Sequence, residues 1–374
     1  MKNYTILTFI LIFLFVLTAH KISYEEAPAL GYSDTQSYCF IAEKGFDKRE
    51  GNNYASHHLE RWPLHITIGS LAKATNLDIW SLYRAIVLLF VFLTYLVIFS
   101  LKISTLNKIA SFAFLLLNPY AFRIFYSVPG MVSDAAIYLG FVFVVCGFFN
   151  KSHSLIIGGV LLSIVGKQTS ILLLPIFMVL FYLKYIKAKE LLFYGVLIIW
   201  GFVFLKNSTV YLFEVSNPTS FFQLATAGIK WLYNDYSFKE GFSFFGRYIL
   251  FLLSLSPLLF LSLEKGKNKI IFIAFFLFIH LQPIAGGPAV TGRNIQRLCA
   301  LGLPFLLPLI FTARIELKNL YLFLSSSLLL SFHHNFSFLY YLGFGKTLFF
   351  SVILLNFAAS LLVNKRQLKF SRDS

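Results

Sequence analysis

Charged residues are scarce in this chain of 374 residues, and their scarcity excludes most classes of soluble protein. Only 13% of the residues are charged, whereas soluble domains carry about 25%. Cysteine is also rare: Cys39, Cys146 and Cys299 are too scattered for a disulfide framework or a zinc site, so we expect unpaired thiols. The sequence contains no phosphate-binding loop, zinc motif, haem motif or nucleophile elbow.

Apolar residues make up the rest of the chain, at 58% of the composition with a mean hydropathy of +0.74. Runs of roughly 15–20 apolar residues, bounded by Lys, Arg, Asn and Pro, are typical of membrane-spanning helices. We therefore predict an all-α, polytopic transmembrane helix bundle that forms a single multi-pass domain over residues 1–374. The predicted spans, about twelve in number, are 4–20, 82–101, 109–126, 134–149, 154–166, 169–183, 191–205, 244–263, 270–285, 298–312, 319–332 and 346–363.

The distribution of positive charge orients these spans. The short connections on one side, with the N-terminus, hold sixteen basic residues against four acidic ones. Because Lys and Arg accumulate on the cytoplasmic side, both termini are predicted to be cytoplasmic. Two long loops, 21–80 and 206–243, are then extracytoplasmic. We expect an integral protein of a bacterial inner (plasma) membrane, and this rule accounts for the net charge of +16 without nucleic acid.

The first long loop carries half of the chain's carboxylates. Asp34 could take a proton from an attacking hydroxyl; alternatively, it is solvated or caps a helix that starts at Thr35. Glu60 and Arg61 precede a Trp-Pro pair, where a guanidinium would match phosphate oxygens. The alternative is a surface salt bridge beside an interfacial tryptophan.

Histidines and an amphipathic segment lie in the same loop. His57, His58 and His65 could bind a metal or hold an oxyanion, although surface histidines are commoner than ligands. Apolar residues from Trp62 to Ala74 are spaced as in a helix on the bilayer surface.

Three further charges fall at the predicted outer ends of spans. Arg123 precedes a turn-rich stretch, and Asp134 opens the next span, where it could belong to a site or merely cap the helix. Lys167 interrupts apolar sequence outside any cytoplasmic loop. We therefore expect it to be functional or paired with an opposite charge.

A late glycine-rich stretch, residues 286–297, contains two arginines. Its glycines permit close approach of the backbone to a ligand, and Arg293 and Arg297 lie on one face if the stretch is helical. Like charges so placed repel unless an anion lies between them, which favours a phosphate site. Two separately solvated arginines are the alternative.

Together these residues predict one outward-facing site with two carboxylates and several cations. Cations suit a phosphate or pyrophosphate, and carboxylates suit the activation of a hydroxyl. A lipid-linked phosphosugar would satisfy both and would place the site at the membrane surface.

In this layout the sequence resembles the GT-C superfamily of integral membrane glycosyltransferases, such as protein O-mannosyltransferases and the aminoarabinose transferases that modify lipid A. The resemblance is carried by the early Asp of Tyr32-Ser33-Asp34, by the charged-then-proline segment Glu60-Arg61-Trp62-Pro63-Leu64, by Asp134, by Lys167 and by Gly292 through Pro304. A single Asp replaces the Asp-Glu pair that many members carry. We also expect no large C-terminal soluble domain of the kind that many members of this superfamily carry.

The resemblance implies transfer of a sugar, with inversion, from a polyprenyl-phosphate donor to a glycan, lipid or protein acceptor of the cell envelope. It implies that Asp34 is the base and that Asp134 assists or positions the acceptor. The residues expected to bind substrate are Glu60, Arg61, Arg123, Lys167, Arg293 and Arg297, with the cations holding the lipid phosphate. Metal dependence stays open, because some members use a divalent ion and others do not.

Two other functions share parts of this pattern. An O-antigen-type polymerase or ligase of lipid-linked glycans would centre its chemistry on Arg247, Arg293 and Arg297 and would leave Asp34 dispensable. A transporter or flippase of a lipid-linked anion would show internal repeats and charges near the middle of the membrane, and only Lys167 is a candidate for such depth.

Overall fold

The computed structural model describes residues 2–47, 54–215, 226–227, 229–235, 237–261, 267–291, 294–332, 336–337 and 346–370. Every regular element in those ranges is helical, which confirms the predicted all-α class. The helices are α1 (Lys2–Thr18), α2 (Glu26–Ala29), α3 (Asp34–Lys44), α4 (Ser56–Leu59), α5 (Trp62–Thr75), α6 (Ile79–Ser100), α7 (Thr105–Leu117), α8 (Phe122–Ser127), α9 (Val132–Asn150), α10 (His153–Gly166), α11 (Leu173–Tyr182), α12 (Ala188–Phe213), α13 (Phe238–Leu253), α14 (Lys267–Thr291), α15 (Ile295–Ala300), α16 (Leu307–Phe311), α17 (Leu317–Phe332) and α18 (Lys346–Phe370).

Shorter elements join or extend these helices. They are the 3₁₀ turns Pro129–Met131, Gln168–Leu172, Ser256–Phe260 and Leu303–Leu306 and the π-helical turn Trp231–Asp235. All three cysteines are free, and all three are buried.

Five helical segments of the described chain are long and apolar enough to cross a membrane, which supports an integral membrane protein. They are Ile79–Ser100, Pro129–Asn150, Ala188–Phe213, Phe238–Phe260 and Ile270–Pro288. Six further predicted spans correspond to apolar helical segments that are shorter: Thr5–Thr18, Thr105–Leu117, His153–Gly166, Gln168–Tyr182, Leu317–Phe332 and Phe350–Leu362. The count of twelve full spans is therefore not reproduced by helix length.

Two predicted spans are broken by proline. Residues 109–126 split because α7 ends before Asn118-Pro119, where proline disfavours the helical conformation of the residue before it. The Asn118 side chain then accepts a hydrogen bond from the backbone N–H of Tyr120 at 3.0 Å, which stabilises a turn. Residues 298–312 become α15, a 3₁₀ turn and α16, with Pro304 and Pro308 at the breaks.

Helix α9 lies at the centre of the bundle. Its residues 132–142 are all buried, as expected for a helix that is apolar on every face. It packs along α10, and glycines allow the two backbones to touch, as small residues do between membrane helices. A Cβ atom on Gly159 would lie 2.6 Å from the carbonyl oxygen of Gly140 and 2.8 Å from the backbone nitrogen of Val144.

We expect Gly159→Ala to lower the free energy of unfolding by about 1–3 kcal/mol, because the added methyl group overpacks this contact. The matched control is Gly158→Ala, whose Cβ would meet only Phe143, at 3.9 Å. That variant should be neutral or slightly stabilising, since alanine favours a helix more than glycine does. Denaturant titration in detergent micelles measures both, and equal losses would contradict the packing described.

Candidate functional site

Two carboxylates and three cations from distant parts of the sequence form one group, which we name the charged cluster. Its members are Asp34, Arg61, Asp134, Lys167 and Arg297, all predicted from the sequence as site residues. Four of them are almost completely buried, whereas the side chain of Asp34 keeps 16% of its exposure. Buried charges at membrane helix ends are costly and are kept where they are paired or functional.

Asp134 and Lys167 form the closest ion pair of the cluster. Nζ of Lys167 lies 2.7 Å from Oδ1 of Asp134, which accepts its hydrogen bond. Helix α10 ends at Gly166, where a Cβ atom would lie 2.7 Å from the backbone nitrogen of Ile137, so the chain turns directly against the first turns of α9. Asp134 therefore binds a cation and does not cap its helix.

Arg297 joins the two carboxylates. Its Nε lies 3.3 Å from Oδ2 of Asp134, and its Nη2 lies 3.6 Å from Oδ2 of Asp34. The guanidinium also lies over the ring of Tyr32, 5.3 Å from the ring centre, and Nη1 contacts the sulfur of Met131. One arginine thus fixes the distance between the two acids.

Helix α15, which carries Arg297, is held in place by two polar contacts. Nε2 of the buried His280 ring lies 3.2 Å from the carbonyl oxygen of Cys299. Asn294 donates a hydrogen bond of 3.2 Å to the carbonyl oxygen of Gly31, close to Asp34 in the chain. These contacts tie α15 to α14 and to the first loop.

Asp34 occupies the first turn of α3, and its carboxylate makes no capping bond. Oδ2 accepts a long hydrogen bond, 3.5 Å, from the phenol of Tyr38 and faces Arg297. In the described part of the chain, Oδ1 has no hydrogen-bond partner. Asp34 is therefore the more accessible acid of the cluster, with one oxygen available to a proton donor.

Arg61 is a buried cation that lacks a carboxylate partner. Its guanidinium lies 5.0 Å from the centre of the Tyr38 ring, and Nε has no hydrogen-bond partner. No ion pair joins it among the described residues. The cluster therefore holds three cations against two carboxylates, and the unmatched charge suits an anion.

A small pocket opens beside the unmatched cation. It is lined by Glu60, Arg61, Ile164, Lys167, Gln168, Ser170, Phe202 and Leu205. Gln168 donates hydrogen bonds to the Glu60 carboxylate (2.7 Å) and to the carbonyl oxygen of His57 (2.6 Å). Burial raises the pKa of Glu60, and the bond from Gln168 opposes the rise.

The predicted site residues outside the cluster have different surroundings. Glu60 borders the pocket, as described. Arg123 is fully buried and donates hydrogen bonds to the carbonyl oxygen of Phe15 and to the hydroxyls of Thr18 and Ser331. These contacts join α8 to α1 and α17, so its guanidinium is already occupied in packing. Arg293 lies outside the described residues.

Met131 and Gln168 contribute contacts that the sequence analysis does not single out, and Tyr32 is named there only as a neighbour of Asp34. A usable signal for Gln168 is that it extends the polar interruption at Lys167 within an apolar run. The roles of Tyr32 and Met131 become visible only through their contact with Arg297.

Among the described residues, the carboxylates and histidines are not arranged to hold a divalent ion. They contain no group of three His, Cys, Asp or Glu side chains placed for a metal. Asp134 is engaged by Lys167 and Arg297. His58 lies 3.2 Å from the hydroxyl of Ser37 and His65 lies 2.7 Å from that of Tyr83, whereas Nδ1 of His57 has no hydrogen-bond partner among the described residues.

Comparison of the chain with protein-family models, with curated proteins and with solved structures found no match. Function must therefore be argued from the charged cluster itself.

We expect Lys167→Met to lower the free energy of unfolding by about 3 kcal/mol, the low end for breaking a buried ion pair, because Arg297 still faces Asp134. Adding Asp134→Leu to that variant should restore part of the loss, since the buried carboxylate left with one cation instead of two is then removed and Arg297 keeps Asp34. The control is Lys73→Met, at an exposed position of α5. Unfolding in detergent micelles measures all three; a loss as large in Lys73→Met would refute the pairing argument.

Stability should also fall in acid because of His57. Burial, aided by the nearby His58 and Lys167, lowers the pKa of His57 from 6.5 to about 3. At pH values between these two pKa values, His57 therefore carries a proton in the unfolded chain but not in the folded protein. Each pH unit below 6.5 should cost at most about 1.4 kcal/mol. His57→Gln should reduce this slope between pH 7 and 5 and leave stability at pH 8 little changed; an unaltered slope would contradict the assignment.

Proposed function

We propose that the protein is a membrane glycosyltransferase that moves a sugar from a polyprenyl-phosphate donor to an acceptor of the cell envelope. The observation that carries the proposal is the bridge of Arg297 between Asp34 and Asp134, with Arg61 and Lys167 beside it. Sugar transfer from a lipid phosphate requires a base near an acceptor and cations near a phosphate. The charged cluster supplies both within one set of contacts.

Asp34 is the base in this proposal. Its Oδ1 accepts the proton of an acceptor hydroxyl as the hydroxyl oxygen forms a bond to the anomeric carbon of the sugar. The bond between that carbon and the phosphate oxygen breaks at the same time, and its electron pair leaves with the phosphate. Attack from the side opposite the leaving group inverts the anomeric configuration. Asp134 fixes Arg297, and Arg297 orients the Asp34 carboxylate.

Arg61 and the mouth of the pocket beside it hold the phosphate, since the pocket itself has room for about one water-sized group. Arg61 carries the unmatched positive charge, and Lys167, Gln168 and Ser170 line the same pocket, together with Glu60, whose carboxylate is held by Gln168. Fixed cations in a buried setting stabilise the charge that develops on a leaving phosphate without reorganisation during the reaction. Phe202 and Leu205 of α12 provide apolar contact for the attached lipid chain.

The topology completes the proposal. Twelve membrane crossings with both termini in the cytoplasm place the loop 21–80, and hence the cluster, on the extracytoplasmic side of a bacterial inner membrane. The acceptor is then a glycan, lipid or protein of the envelope, and the donor reaches the pocket from the bilayer.

The test is a transfer assay on purified protein in lipid nanodiscs with a polyprenyl-phosphate sugar pool and envelope acceptors. We expect Asp34→Asn to lower kcat by about 10²–10⁴-fold, as for loss of a general base, with little change in KM for the donor. Arg61→Ala should chiefly raise the KM for the donor. Glu43→Gln, at an exposed position on the same helix α3, is the matched control and should retain full activity.

Other outcomes would favour the alternative functions. Full transfer by Asp34→Asn, with none by Arg297→Ala, would refute Asp34 as the base and favour a polymerase or ligase. Movement of lipid-linked sugar across the bilayer by wild type, without any transfer, would identify a transporter.

A further inference from the structure

His65 is a completely buried histidine in α5, outside the charged cluster, and its side chain touches both helices that carry the acids. Its Nδ1 lies 2.7 Å from the phenol oxygen of Tyr83, and its Nε2 lies 2.8 Å from the hydroxyl of Ser133. Both ring nitrogens are therefore engaged. Burial and the positive charge of Arg61 lower the pKa of His65 well below its usual value, which keeps the ring neutral.

The neighbouring hydrogen bonds determine which nitrogen carries the proton. Tyr83 donates its phenol proton to the carbonyl oxygen of Tyr38, at 3.1 Å. The phenol oxygen must then accept from His65, so we assign the proton to Nδ1. Nε2 is left as an acceptor for the hydroxyl of Ser133. The side chain at position 65 must therefore donate a hydrogen bond to Tyr83 and accept one from Ser133.

The same ring stacks on Tyr38. The two rings are parallel within 3°, with centres 4.5 Å apart. Tyr38 lies one helical turn after Asp34 in α3 and contacts its carboxylate. Ser133 immediately precedes Asp134 in α9. The ring of His65 therefore joins the segment that carries Asp34 to the segment that carries Asp134. It contacts Tyr38 and Ser133 directly, and it is linked to the backbone of Tyr38 through Tyr83.

We propose that His65 is a positioning residue that sets the separation of Asp34 and Asp134 across Arg297. Its ring acts as a rigid spacer: the stacked face locates α3, and Nε2 locates the first turn of α9. Its effect on turnover rests on the proposed function, whereas its effect on the spacing of the two helices does not.

The key variant is His65→Phe, which keeps a ring for stacking but leaves Tyr83 and Ser133 without their partner. We expect kcat to fall by about 10–100-fold, as for a small misplacement of reacting groups, with the KM for the donor nearly unchanged. His65→Gln, whose amide can still accept from Ser133, should recover part of the activity. His153→Phe, which removes a histidine bonded to Tyr194 away from the cluster, is the control and should leave kcat unchanged.

A second measurement reads the helix spacing without any assay of transfer. Thr35 directly follows Asp34, Gly130 lies three residues before Ser133, and a Cβ atom on Gly130 would lie 3.0 Å from that of Thr35. The Cβ atoms of a relaxed disulfide lie about 3.5–4.5 Å apart, so Thr35→Cys with Gly130→Cys should cross-link slowly, and only after the two segments move apart, in a background with the three native cysteines replaced by alanine. Because His65→Phe loses the bond that locates Ser133, the rate of disulfide formation should rise when that substitution is added and should not change with His153→Phe.

The two readouts separate the outcomes. Faster disulfide formation together with lower kcat supports the proposal. An unchanged disulfide rate in His65→Phe overturns it, whatever the activity. Should wild type show no transfer while His65→Phe still speeds disulfide formation, the spacing role stands and the proposed function fails. If His65→Phe does not fold, the same comparison is made between His65→Gln and wild type.

Discussion

An ionised carboxylate in the interior of a helix bundle must have cations in direct contact, and Asp134 imposes that requirement on this protein. Desolvating such a group costs several kcal/mol even after relaxation, so it is tolerated only with good partners. Lys167 arrives from the end of α10, and Arg297 arrives from the short helix α15. The position of one buried charge therefore requires that three separate chain segments meet.

Backbone contact between α9 and α10 makes that meeting possible. Glycines on the facing surfaces bring the two helices together until their backbones touch, and the end of α10 is thereby fixed against the first turns of α9. Had larger residues separated the helices, Lys167 could not lie 2.7 Å from Asp134. Packing among apolar residues thus determines an electrostatic distance in the candidate site.

Aromatic rings lie against two of the buried cations, and for Arg61 the ring is the main compensation. Arg297 lies over Tyr32, and Arg61 lies over Tyr38, at distances where the ring face attracts a cation. A ring offers less compensation than a carboxylate, so Arg61 keeps charge that an incoming anion can match. This imbalance, rather than any sequence motif, is the physical basis for proposing a phosphate ligand.

The sequence by itself determined the helical class, the membrane character and the charges that needed explanation, because apolar runs and isolated charges are local properties of composition. It also predicted that Lys167 would be functional or paired. Only the tertiary structure decided that Asp34 and Asp134 share Arg297, that neither caps its helix, and that Arg123 serves packing between α8, α1 and α17. Those facts depend on contacts between residues more than a hundred positions apart. Such contacts arise from how whole helices pack, and no local pattern encodes them.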